Sequence, residues 1–195
     1  MDFNFSDDQK AIRELAYQIF TDRSSDEFLL AFSRTDETYD ETLWQTLAEQ
    51  GLLGVAIPEA AGGTGLGLVE LCLVLEEQGR RVAPVPLYAS LVLGGLPIVA
   101  FGSQEQQQRY LPALASGAAK FSAAIAELAM NPAVVTTVTA TREKEGWVLC
   151  GDKAVVPDGA VADFILVPAE DGAGQQSVFI IDTRTPGVSV QPVEI

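Results

Sequence analysis

The stretch GLLGVAIPEAAGGTGLG, residues 51 to 67, places six glycines in seventeen positions, and an apolar run follows at once. Closely spaced glycines can cradle a phosphate, or they can turn the chain tightly between two packed helices. A dinucleotide cradle needs G-x-G-x-x-G between a strand and a helix, with an acidic residue about twenty positions on. Here Gly63, Gly65 and Gly67 alternate, and the flanking pattern holds no strand–helix–strand unit. A P-type phosphate loop needs Gly-Lys-Ser or Gly-Lys-Thr, which is absent. The stretch therefore predicts a corner between helices.

Working outward, the front of the chain has helical spacing. Ser6 with Gln9 forms a capping box, Asp7 and Asp8 follow in the first turn, and Ile12, Leu15, Ala16, Ile19 and Phe20 recur on one face. A short helix is expected over 25–33 and another from about Thr42 to Gly51, a good C-terminal cap. Residues 67–79, GLVELCLVLEEQG, are apolar nearly all round, which suits a helix buried on several sides and ended by Gly79. Ser103 with Gln106 opens a further helix, in which Pro112 predicts a kink or an early end.

After Gly117 the period shortens to that of strands. Residues 134–156 give two β-rich runs around a turn at Glu143 to Gly146. Further strands are expected in ADFILVPAED, SVFIIDTR and GVSVQPV, separated by DGAGQQ and by Pro186-Gly187. Helices first and strands afterwards predict an α+β chain: an all-helical unit over 1–117, then a mostly antiparallel β-barrel or sandwich over 118–195.

Composition narrows the chemistry. A net charge of −15 argues against sequence-independent nucleic-acid binding, which needs a basic face. With no histidine, Ser-His-Asp hydrolysis and most zinc sites are excluded. Cys72 and Cys150 read as buried thiols of a reducing compartment. Residues 82–103 carry no charge and are long enough to span a bilayer, but Pro84, Pro86, Pro97 and Gly94-Gly95 break them. A buried helix in a cytoplasmic protein is the better reading, and the acidic N-terminus lacks the features of a signal peptide.

Four pieces in order, LAEQGLLGVAIPEAAGGTGLGLVELCLVLEEQGRRVAP, GSQEQQQRYLPALASG, AAIAE and GWVLCGDKAVVPDGAVADFILVPAE, resemble the acyl-CoA dehydrogenase family. The resemblance covers nearly the whole chain from about residue 5. It implies a helical domain ahead of a β-domain, FAD as cofactor, and α,β-dehydrogenation of an acyl-CoA thioester. It further implies transfer of the electrons to an electron-transferring flavoprotein and assembly into homo- or hetero-oligomers. Members of the family continue into a C-terminal helical domain that supplies the catalytic carboxylate. This sequence stops at QPVEI, so no catalytic residue is assigned within it.

By the same resemblance, flavin contacts fall on Ile125, Ala126, Glu127, Val155 and Pro157, while Tyr88, Ser90 and Leu93 border the acyl tail. Two departures stand out. Ala126 replaces the usual threonine, and the Gly-Ser-Asp that ordinarily follows Glu127 is missing. Val155 and Pro157 stand where the family often has an aromatic residue and a hydroxyl. A non-catalytic partner subunit of a heteromeric dehydrogenase is therefore an alternative, and a non-redox acyl-CoA binder a weaker one. Arg80 or Arg81 could meet a CoA phosphate, against the plainer reading of a solvated helix end. Trp44 and Trp147 read as packing residues.

Overall fold

A computed structural model describes residues 4–125, 137–144 and 146–192. The chain forms two compact units, residues 1–119 and 120–195.

The first unit is helical. Helix α1 runs over Asp7–Arg23, α2 over Asp26–Phe32, α3 over Glu41–Glu49 and α4 over Leu68–Arg81. A π-helical segment, Tyr88–Gly95, leads into α5, Leu96–Phe101, and α6 covers Gln104–Ala115. Both expected capping boxes form: the Ser6 and Ser103 hydroxyls accept from Gln9 and Gln106 N–H at 3.2 Å. Asp40 caps α3, and Gly51 takes the left-handed conformation just after it, at φ 74°.

The glycine stretch is a corner, and its own main chain fills it. The N–H groups of Gly63, Thr64 and Gly65 donate to Pro58, Gly54 and Ile57 carbonyls at 3.2, 3.0 and 2.9 Å. Those donors are spent internally, so a phosphate would find none of them free. A Cβ on Gly63 would lie 2.1 Å from the Ile57 oxygen, so only glycine lets the strands of this loop approach. Leu52, Leu53, Val55 and Ile57 point from the corner into the core.

Several expectations change here. Helix α4 runs through Gly79 to Arg81, and Val82 takes the left-handed position instead, at φ 51°. Nothing lies within 4 Å of a Cβ placed on Gly79, so that glycine is simply a helix-interior residue. The helix is not buried on every side: Leu68, Val69 and Cys72 are exposed. Its buried face carries Leu71, Val74 and Glu77, against α1. Helix α6 continues through Pro112 for one more turn, closed by Ser116 N–H on the Pro112 carbonyl. Both cysteines are exposed thiols, because Cys72 sits on the outer face of α4 and Cys150 at the end of an edge strand. No helix among the described residues is long and apolar enough to cross a membrane.

The second unit is a sheet built on β4, Phe164–Asp171. Strand β5, Gln176–Asp182, pairs antiparallel along one side of β4. On the other side β1, Phe121–Ala123, pairs parallel with the first half of β4, and β2, Thr139–Glu143, parallel with its end. Strand β3, Gly146–Cys150, forms the expected hairpin with β2. The sheet is thus mixed: the two hairpin ladders are antiparallel, as expected for most of it, and two shorter parallel ladders join them. Hairpins give the antiparallel pairs, while β1 and β2 reach β4 through longer connections that permit parallel pairing. Residues 187–192 of the expected last strand form no strand among the described residues.

Trp44 is the expected packing residue: it is 1% exposed, and its Nε1–H donates to Gly117 O at 2.9 Å. Trp147 is only half covered, with its ring edge-on to Phe179 and beneath the Arg142 guanidinium.

Candidate functional site

Two surfaces carry the residues singled out from sequence, one in each unit. In the helical unit, Tyr88, Ser90 and Leu93 all lie in the π-helical segment. Such wide turns are rare and recur at functional positions. Their i→i+5 bonding places Leu93 one turn beyond Tyr88, so these two share a face. Tyr88 is exposed and Leu93 half-buried, whereas Ser90 is fully buried on the inner side. Beneath the segment, Leu91 and Gly95 face Leu53, Ile57, Leu71 and Leu114 across a small apolar cavity. A Cβ on Gly95 would come within 2.8 Å of Leu114 Cδ2, which explains how closely α6 approaches.

The expected contacts of Arg80 and Arg81 are already engaged. Arg80 bonds Glu76 and stands 3.6 Å from Glu77, and Arg81 lies over the Tyr17 ring. The Glu76 carboxyl is held below its ordinary pKa, chiefly by its hydrogen bond to Arg80. Arg13 adds a 2.9 Å bond to the buried Glu77, so this cluster ties α1 to α4. A helix clamp accounts for the charges without a phosphate.

In the β-unit, Ser122 and Ala124 lie on one face of the chain at β1, and residues 151–163 fold back over it. The fully buried Ser122 hydroxyl donates to the Pro157 carbonyl at 2.5 Å. Val156 packs against the cluster of Ala124, Ala162 and Ile165. The neighbours of Val156 turn outward: Val155 is 56% exposed, and Pro157 is exposed as well. Ile125, just past β1, is 61% exposed. Ile125, Val155 and Pro157 are thus all exposed, while Ala126 and Glu127 lie outside the described residues.

Three features were not singled out from sequence. Asp158 sits at φ 50°, a conformation uncommon for a residue with a side chain and best tolerated by Asn and Asp. Its carbonyl accepts from Val161 N–H, and Gly159 N–H closes on Val156. Lys120 and Asp163 lock the other end of the segment, with Lys120 N–H on Asp163 Oδ2 at 2.8 Å and Asp163 N–H on Lys120 O. The Asp-Gly pair at 158–159 is a turn signal that points to this geometry. The Ser122 bond leaves no trace in sequence. Among the described residues no cluster of His, Cys, Asp and Glu could hold a metal ion.

Comparison with known proteins agrees with both units. The model of the acyl-CoA dehydrogenase N-terminal domain matches residues 6–118, and that of the middle domain matches residues 126–194. The chain belongs to the acyl-CoA dehydrogenase family. A steroid ACAD described as Tcur3481-Tcur3483 is 43% identical with a TM-score of 0.84, covering 92% of this chain and 49% of that one. The ChsE4-ChsE5 complex from Mycobacterium tuberculosis is 31% identical with a TM-score of 0.90, covering 99% and 52%. An acyl-CoA dehydrogenase complexed with FAD from Bacillus anthracis is 32% identical with a TM-score of 0.86, covering 98% and 34%. The chain spans about half the length of the curated relatives that match nearly all of it.

Proposed function

We propose that this chain is the helical and middle part of an FAD-dependent oxidoreductase that desaturates an acyl-CoA thioester between its α and β carbons. Family membership over both units supports this reading. So does the local fit: the surface of Ile125, Val155 and Pro157 is apolar and suits the flat face of a flavin, while main-chain groups remain to serve its polar edge. FAD, when bound, supplies the hydride acceptor.

This chain's own residues orient and shield. Ile125 and Val155 cover ring surface and keep water from it. Tyr88 and Leu93 line the acyl tail, and the buried Ser90 holds the inner side of the same segment. The carboxylate that removes the α-proton comes from outside these residues, and electrons leave to an electron-transferring flavoprotein. The decisive experiment is spectroscopic. The purified protein, with any chain that accompanies it, shows flavin absorbance that bleaches anaerobically on addition of a straight-chain or steroid-ring acyl-CoA. A colourless protein that leaves every thioester intact refutes the proposal.

A second reading is a non-catalytic chain of a heteromeric dehydrogenase. Pro157 and Val155, in place of a hydroxyl and an aromatic ring, favour it, as does the likeness to a complex of two named proteins. Native mass measurement separates the two readings: a second dehydrogenase-like chain in fixed ratio supports this one, and full activity of the isolated chain excludes it.

A further inference from the structure

Proline at position 157 has neither a hydroxyl nor an N–H, so it cannot donate a hydrogen bond to anything. The main chain beside it carries a donor of its own. The Pro157 carbonyl is drawn inward to the buried Ser122 hydroxyl. No peptide bond described here is cis, and in a trans peptide the N–H points opposite to the C=O. The N–H of Asp158 is therefore turned away from β1, and it has no acceptor among the described residues. Asp158 is held at φ 50° in doing so, a backbone strain of the kind found where a fold orients a group for use.

We infer that Ser122 is a positioning residue: by holding the Pro157 carbonyl, it presents the Asp158 main-chain N–H as a hydrogen-bond donor to the polar edge of the flavin ring. The inference rests on the flavin reading above. It adds a donor that the side chains of Val155 and Pro157 do not supply. Val156 anchors the segment from the same side by packing on Ala124 and Ala162, so the donor is held at two points.

The test uses the purified protein, with any accompanying chain, titrated with FAD and followed by absorbance. Hydrogen exchange over residues 155–161 is measured in parallel. Ser122→Ala is expected to speed exchange over 155–161 several-fold while β4 and β5 stay protected, and to weaken FAD binding about tenfold. Pro157→Thr, which restores an N–H and a hydroxyl, recovers most of that affinity in the Ser122→Ala background. Asp158→Asn keeps the main-chain donor and the left-handed turn, so it binds FAD as the wild type does. Faster exchange with unchanged FAD affinity in Ser122→Ala overturns the inference, since Ser122 is then a structural residue only. A tenfold loss in Asp158→Asn also overturns it, because the carboxylate is then the contact. A wild-type protein that takes up no FAD refutes the flavin reading itself and removes the inference with it.

Discussion

Replacing Gly63 by alanine tests the corner directly. A Cβ at that position lies 2.1 Å from the Ile57 oxygen, 2.6 Å from the Ile57 carbonyl carbon and 2.6 Å from the Gly54 oxygen. All three are main-chain atoms, so no side chain can swing aside, and the loop must open by about 1 Å to clear the 3.0 Å limit. Both oxygens are hydrogen-bond acceptors, for Thr64 and Gly65 N–H. Losing two such bonds removes about 1 kcal/mol each, and the forced displacement adds about 1–3 kcal/mol. The expected destabilisation is about 3–5 kcal/mol, or on the order of 10–20 °C in the melting of a unit this size. Far-ultraviolet dichroism at a helix wavelength reads it. Gly79→Ala is the matched control: it is helical with nothing within 4 Å, so alanine stabilises α4 by about 0.5–1 kcal/mol. If the Gly63 variant melts with the wild type, the packed-corner reasoning is wrong.

Trp44→Phe removes the donor to Gly117 O inside the core, and denaturant unfolding should show a loss of about 1–3 kcal/mol. Glu77→Gln leaves Arg13 without its 2.9 Å carboxylate partner between α1 and α4. Urea titration should register about 1–3 kcal/mol, with α1 exchanging its amides first. The Glu70 carboxyl is held below its ordinary pKa by Gln9 first and then by main-chain N–H groups, including that of Gly67. A depressed folded pKa contributes stability above the ordinary carboxylate value and loses it as pH falls toward the lowered one. The acid limb of the melting curve should therefore flatten in Glu70→Gln; an unchanged slope would remove Glu70 from the account.

Local signals carried much of this architecture. Capping boxes at Ser6 and Ser103 and the cap at Gly51 act within a few residues, so their geometry is written in the sequence. What failed to show depends on neighbours distant in the chain. Gly79 resembles a stop, but α4 gains more by continuing along α1, and the stop moves to Val82. Alternation located β2, β3, β4 and β5 but says nothing of direction, and the parallel pairing of β1 and β2 to β4 arises only in three dimensions. The outward face of α4 looks like core by composition, because Leu68, Val69 and Cys72 are apolar whatever they touch. The candidate flavin surface was named from resemblance. Its support, one hydroxyl on one carbonyl, comes from residues whose order gives no hint of their meeting.

The arrangement around β4 also dictates a schedule of assembly. The β2–β3 and β4–β5 hairpins close over a few residues and can form in microseconds. Strand β1 must wait, since its first bond, from Lys120 N–H to Asp163, spans 43 residues. Loop closure of that length is slow, and until it happens half of one β4 border stays open to any passing strand. The refolding chain is most prone to aggregate in that interval, and lowering the protein concentration should raise the yield more than added stability does.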